Sequence, residues 1–457
     1  MPTVPTNAEA ASCPALGMQQ LIRRDQQALA CPYPIFASLR SEAPVSYCEE
    51  LGAWVVLSHA DVRAVLHDNE HFSSRMPTGP RARGAQLAAA LRALATEPEM
   101  APLLAALAGS GSGAQVLLNA DPPLHRRQRV AVNGAFRPSR LRALEPVIAA
   151  VANRLLAALV ADTGNDPGPG AGQSVDIVSS FAVGLPLQLI AYALGVADED
   201  LATFKRWSDD LVMPIGNDSP TVDQVRDHVR STVDFADYFW TLALQRRQQP
   251  SSDLISDVAN ARIDGELLSR AEVLGMLQQF LVAGNETTTK LVTNIVLQLA
   301  SDPGLQQRVR AQRSLIDGLV EEALRFEAPV SGLFRQVVRE VSVGGTVLPV
   351  GAHLWVLYAA ANRDGAFFTD PDRFDADRAN AAEHLSFGHG EHHCIGAGLA
   401  RAEARIGIGA LLDQLQDIRL AEDNEFTYAD TFVLRGLTSL RITFTRSAPA
   451  DPEGASR

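Results

Sequence analysis

The residues best equipped for chemistry stand together at 387–396, FGHGEHHCIG, where Cys394, one of only four cysteines in the chain, follows His389, His392 and His393. A lone cysteine is most simply a small buried hydrophobe, and neighbouring histidines are most simply surface residues. The glycines argue for more. Gly388, Gly390 and Gly396 allow positive φ or close backbone approach, and the run that follows, GLARAEARIGIGALLDQL, has the period of a helix. Cys394 is therefore expected at a helix N-terminus, where the helix dipole and free backbone N–H groups favour a thiolate. Such a thiolate is a metal ligand or a nucleophile. Structural zinc needs a second Cys or His pair at defined spacing, and His384, His389, His392 and His393 crowd one loop without one.

Three other stretches carry polar groups where the surroundings make them informative. In EVLGMLQQFLVAGNETTTKLVTNIVLQLA the flanks are apolar and the centre, AGNETTT, is polar. Burying Glu286 and Thr287 there costs free energy unless they are paired or linked to water; alternatively, the threonines bond back to the preceding turn. EEALR sets Glu322 and Arg325 three apart on one helix face, a spacing that often gives only a solvated ion pair. DPPLHRRQR sets His125 and Arg129 four apart, able to clamp one carboxylate together.

F-G-x-G-x-H-x-C-x-G is matched at every fixed position by Phe387, Gly388, Gly390, His392, Cys394 and Gly396, and it resembles the haem-binding loop of the cytochrome P-450 monooxygenases of the soluble bacterial type. The resemblance runs from about residue 31 to residue 446. It implies that Cys394 is the axial ligand of the haem iron, with Phe387 packed beside it. His392, His125, Arg129 and Arg335 would hold the haem propionates. AGNETT resembles the family's oxygen groove: Gly284 leaves room over the haem, Thr287 hydrogen-bonds dioxygen, and Glu286 feeds protons from solvent. Glu322 and Arg325 look like the buried pair that locks the core, and ANRD at 361–364 is a weaker echo. Phe280, Val330, Leu333, Phe334, Val433 and Leu434 are expected pocket walls, although core packing alone predicts the same composition.

The implied activity is insertion of one atom of dioxygen into an apolar small molecule by hydroxylation or epoxidation. The cofactor would be haem b, with electrons from NAD(P)H through a separate ferredoxin and ferredoxin reductase, or a flavodoxin. A peroxide-using peroxygenase of the same fold, or a non-catalytic haem sensor, are the alternatives; neither needs the acid–threonine pair that stands here.

Composition narrows the remaining possibilities. At 457 residues, a net charge of −13 and a pI near 5.3, the chain is ill suited to general nucleic-acid or anionic-membrane binding. Cys13, Cys31, Cys48 and Cys394 are scattered, so a disulfide framework is not expected. The start has no basic n-region or continuous apolar run, and the apolar stretch at 147–161 carries Asn153 and Arg154 and is too short to span a bilayer. No membrane anchor and a cytoplasmic location are expected. Locally, Arg126, Arg127 and Arg401 could form a basic patch for an acidic ferredoxin.

The elements that must position these groups read as mainly α with small β-sheets, one domain over 31–446. Residues 1–30 are expected to be a flexible segment and 447–457 a disordered tail. Short helices near 34 and 60 flank a hairpin turned at Leu51 and Gly52; another hairpin turns at Gly344 and Gly345, and 428–446 reads as strand. The segment 76–118, broken by Pro80, Pro98 and Pro102 and ending in GSGSG, reads as two short helices with a flexible end. Its leucines, Leu87, Leu91, Leu94, Leu103, Leu104 and Leu107, offer an apolar face, which would make it a mobile lid over the pocket.

Overall fold

The computed structural model describes residues 17–79, 84–107, 109–111, 113–162, 174–217 and 219–446. Helices carry most of it, and the strands are short. The longest helix, Arg270–Ser301, opens on a reciprocal cap: Ser269 accepts from the Glu272 N–H, while the Glu272 carboxylate accepts from the Ser269 N–H at 2.9 Å. It stops at Asp302, whose side chain caps the next helix, Pro303–Ala311. Proline cannot continue a helix interior but suits a first turn. Leu274, Leu277, Leu281, Val292, Ile295 and Val296 are fully enclosed, so this helix runs through the interior as its axis. Each such side chain contributes about 1.5–3 kcal/mol on burial.

Around the central helix pack Val222–Gln248, Gly184–Ala193, Leu315–Phe326 and the cysteine helix, Ala397–Gln414. Helix Pro138–Asp162 lies against the cysteine helix. By length and composition it is long enough to cross a membrane, longer than the stretch 147–161 implied. Its apolar face serves the core instead, and Arg140 to Asp257 at 3.0 Å and Glu145 to Arg405 at 2.8 Å tie it to its neighbours. It also packs on Gly184–Ala193, so no domain boundary separates the two; the intervening 163–173 lies outside the described residues.

The main sheet has the order Val45–Cys48, Ala53–Val56, His353–Val356, Leu333–Val337, Phe72–Ser73. Its first hairpin runs in register from Val45↔Val56 to Cys48↔Ala53, with Gly52 at φ +60° in the turn. The expected hairpin at Gly344 and Gly345 joins Val341–Val343 to Thr346–Leu348. The strand expected over 428–446 forms only at Arg441–Arg446; before it stand isolated bridges, Val330↔Leu434 and Tyr428↔Leu437. Side chains rather than a ladder hold that stretch, Arg435 reaching Glu327 at 2.6 Å.

Two expectations near the N-terminus are corrected. Residues 17–30 are not a loose segment: Met18–Ile22 and Gln26–Ala30 are helices, and Leu21, Ile22, Ala28 and Leu29 are buried in the main core. The amphipathic spacing was too short to register as periodicity. Cys31 is disulfide-bonded, a pairing the scattered spacing did not foretell, whereas Cys48 and Cys394 are free. Residues 1–16 and the expected tail 447–457 lie outside the described residues.

The segment 76–118 does contain two helices, Ala85–Leu94 and Met100–Leu107. Leu94 and Met100 are fully buried against Val225 and Val229 of helix Val222–Gln248, and Arg226 holds Glu97 at 2.9 Å. The end read as flexible is pinned. Arg270 donates to the Gly109 carbonyl at 3.1 Å, and Gly111 lies so close to the central helix that a Cβ on it would stand 2.7 Å from the Ala271 carbonyl oxygen.

Candidate active site

The cysteine loop is built by short-range geometry. The Cys394 N–H donates to the Phe387 carbonyl at 2.8 Å, closing the loop on itself. Gly388 and Gly390 take φ of +69° and +72°, and at Gly390 a Cβ would stand 2.7 Å from the Leu66 carbonyl oxygen, so only glycine fits. Gly396 is the N-cap of the cysteine helix. The loop is held from outside by Asn362, which accepts from the Leu385 N–H at 2.7 Å and donates to Ser386 Oγ at 2.8 Å. Glu322 and Arg325, wholly buried and doubly bonded at 2.7 Å, brace the same region: Arg325 also donates to the carbonyls of Asn362 and Pro371. The pair is structural in position and does not border the cavity.

Cys394 is enclosed by protein, yet its surface counts as exposed because it opens on a cavity of about 580 Å³. Burial raises its thiol pKa, and the N–H groups of Gly396 and Ala397, with Arg129 and Arg401, act in the opposite direction. The helix N-terminus thus favours the thiolate as expected, but burial outweighs it until a cation takes the sulfur.

The same cavity collects Phe387, Gly388, His392 and Gly396 from the loop, and His125 and Arg129 from helix Leu124–Val132. Arg335 and Leu333 come from the sheet, and Phe280, Gly284, Thr287 and Thr288 from the central helix. The His125 and His392 rings stack at 3.9 Å. His125 Nδ1 and His392 Nε2 are buried without partners. Burial lowers His125 to about 4, helped by Arg129, and His392 to about 2, helped by Arg335. Arg335 is itself 3% exposed, and burial lowers its pKa too. Neither it nor Arg129 has an ion-pair partner among the described residues. One buried and one half-buried guanidinium, with two orphaned imidazole nitrogens beside them, call for an anionic guest. With a cysteine sulfur opening on the same space, this donor set fits haem, whose two carboxylates and iron match the cations and the thiol.

Two sequence-based site residues are placed differently. Phe334 does not reach the cavity: strand residues alternate in direction, so Leu333 and Arg335 face it while Phe334, 1% exposed, stacks on Trp355 at 5.9 Å. Glu286 does not border it either; its carboxylate lies 2.6 Å from the ammonium of buried Lys290, one turn on. At Gly284, which does line the cavity, a Cβ would meet Ile190 at 3.5 Å, an ordinary contact. Val330, Val433 and Leu434 border the cavity as expected. Thr287 does too, with its hydroxyl donating back to the Ala283 carbonyl at 2.7 Å.

The basic patch is largely neutralised. Arg126 pairs with Glu391, Arg127 with Asp264 at 2.7 Å, and Arg401 with Glu321 at 2.5 Å. Burial alone would raise the Glu321 carboxyl, but bonds from Arg401 and His384 take it down to about 2. Sequence reasoning missed Asn362 as the loop's support, Lys290 as the partner of Glu286, and Glu403 on the cavity wall. A lysine four residues after a mid-helix glutamate was a legible signal for the second.

A mainly helical single domain with a glycine-bound cysteine loop under an interior helix defines a haem-thiolate protein. The Cytochrome P450 family model matches residues 85–422. The cytochrome P450 monooxygenase PikC of Streptomyces venezuelae is 36% identical over 448 residues, 96% of this chain and 97% of its own. Cytochrome P450 CYP109Q5 from Chondromyces apiculatus superposes with a TM-score of 0.76 at 34% identity, covering 93% of this chain and 98% of its own. CYP109E1 from Bacillus megaterium, in complex with testosterone, does so with 0.75 at 30%, covering 90% and 99%. The chain belongs to the cytochrome P450 family and is an oxidoreductase of the monooxygenase type.

Proposed function

We infer that this enzyme inserts one atom of dioxygen into an apolar small molecule, by hydroxylation or epoxidation, using haem b and electrons from NAD(P)H delivered by a separate ferredoxin and its reductase, or a flavodoxin, in the cytoplasm. The observation that carries the reading is the shared cavity: the Cys394 sulfur, four cationic or imidazole groups and Thr287 all border one space. Haem bound there supplies the activation of dioxygen and its transfer to substrate.

The chain's own residues do the rest. Cys394 would hold the haem iron through its sulfur, with Phe387 beside it and Gly388 and Gly396 giving the loop its close approach. Arg129, Arg335, His125 and His392 would hold the two propionates, each gaining an anionic partner that it lacks among the described residues. Thr287 can turn its hydroxyl from Ala283 into the cavity, holding a proton where dioxygen reacts. Glu286 supplies protons from the solvent side, which requires its carboxylate to leave Lys290. Phe280, Val330, Leu333, Val433 and Leu434 exclude water from the substrate end.

Two measurements test this. The reduced, carbon-monoxide-bound protein is expected to show the strongly red-shifted Soret band of thiolate ligation, and Cys394→His to abolish it; an unchanged band in that variant refutes the ligand. Apolar probes of the size CYP109E1 holds, testosterone among them, are then screened for Soret shifts. Product formation that needs dioxygen and redox partners, rather than peroxide, separates the monooxygenase from a peroxygenase.

A further inference from the structure

Glu403 is a buried acid for which the reading above has no use. It lies two turns into the cysteine helix and is 3% exposed, and its Oε2 has no hydrogen-bond partner. With Leu399 and Ala400 it forms the face of that helix that borders the cavity, as the spacing i, i+1, i+4 requires. An unpaired carboxylate in such a wall would be costly, and an apolar residue would pack there without that cost.

We propose that Glu403 stands as a neutral carboxylic acid in the cavity wall on the Cys394 side, and that its ionisation tunes the reduction potential of the bound cofactor. The proposal rests on haem occupying this cavity. Burial, the sole influence on the group, pushes its pKa up to about 8. No charge on the elements packed against it is turned towards it. On its own helix Arg401 is bonded to Glu321 and Arg405 to Glu145. On Pro138–Asp162, Arg140 pairs with Asp257, Arg154 bonds Gln188 and Arg142 is exposed. On Leu315–Phe326, Glu322 and Arg325 close on each other and Asp317 is 77% exposed. On the central helix, Glu286 and Lys290 do the same, Arg270 is directed at Gly109 and Asp237, and Glu272 caps Ser269. The neutral acid adds no charge to the cavity wall. The carboxylate adds one, and it disfavours the reduced iron, which has gained one electron from the redox partner, more than the oxidised iron. The only bond broken is the carboxyl O–H, whose electron pair stays on the oxygen while the proton passes to solvent; the electron on the iron comes from the redox partner.

Spectroelectrochemical titration of the haem-loaded enzyme between pH 6 and 9.5 tests this. The potential is expected to fall as pH rises through about 8, by roughly a tenfold change in the one-electron equilibrium, about 59 mV. Glu403→Gln is expected to be flat over that interval at the wild-type low-pH value. A Gln variant that keeps the wild-type fall, or a wild-type potential that does not change, overturns the proposal while leaving the haem reading intact. A chain that takes up no haem overturns both. Should Glu403→Gln fail to fold, the infrared C=O stretch of a protonated carboxyl in the wild-type holoenzyme decides: it must be present at neutral pH and vanish by pH 9.5, and its absence at neutral pH refutes the neutral acid.

Discussion

The ammonium of Lys290 lies 2.6 Å from the carboxylate of Glu286, one turn earlier on the central helix, and neither residue borders the cavity that Thr287 lines. Lys290 is 4% exposed, and its stem is pressed on Gly436, where a Cβ would stand 2.3 Å from Cδ. The carboxylate keeps more access to water, with 24% of its side chain exposed. The two ends of this pair are therefore unequal. Glu286→Gln strands a buried ammonium and is expected to cost about 3 kcal/mol, whereas Lys290→Met leaves a carboxylate that water reaches and should cost about 1 kcal/mol. Urea unfolding of both variants checks the order; equal losses would mean that the lysine is hydrated.

Thr287→Ala is expected to leave stability within about 0.5 kcal/mol, because the hydroxyl it removes is only bonded back to Ala283. Haem and substrate binding should persist while reducing equivalents divert to peroxide. Product formed per NAD(P)H consumed is the quantity to follow, and full coupling in the variant counts against a proton-holding role.

The lid reading changes in kind. Since helices Ala85–Leu94 and Met100–Leu107 share a small core with Val225 and Val229, they are expected to move only with helix Val222–Gln248. Gln279 bonds the Val116 carbonyl at 2.9 Å and accepts from the Leu118 N–H at 3.1 Å, so 113–119 should stay fixed. Hydrogen exchange with and without a Soret-shifting ligand should show equal protection across 113–119; a large ligand-dependent gain there would restore the free lid.

Arg127→Glu should alter electron delivery little, since Arg127 already pairs with Asp264 at 2.7 Å and an exposed pair is worth at most about 1 kcal/mol. The rate of reduction by a ferredoxin and its salt dependence are the readouts. A reduction rate that drops tenfold and loses its salt slope would return this arginine to the docking face.

Stability should follow Glu403. Its folded pKa is raised, to about 8, so the stability it permits is full below the unfolded value, about 4.3, and drains away as pH rises through 8. The loss amounts to a few kcal/mol at most. Glu403→Gln is expected to flatten that slope, making the variant the more stable protein at pH 9; denaturation midpoints at pH 5, 7 and 9 suffice to check it.

What the sequence determined by itself is what short-range rules govern. The cysteine loop was legible because its glycines, its hydrogen bond from Cys394 to Phe387 and its helix N-terminus all lie within ten residues. The two hairpins were legible at Gly52 and Gly344–Gly345 for the same reason, and the central helix because its flanks are apolar throughout. Only the tertiary structure decided which groups meet. One residue's step along a strand turned Phe334 to Trp355 and Leu333 to the cavity. Packing against Gly436 buried Lys290 and drew Glu286 with it, and carboxylates far off in sequence, Asp264 and Glu321, discharged a patch that read as basic. Direction along a strand, the pairing of distant charges and the burial of an acid such as Glu403 depend on neighbours brought together by folding, and no local pattern carries them.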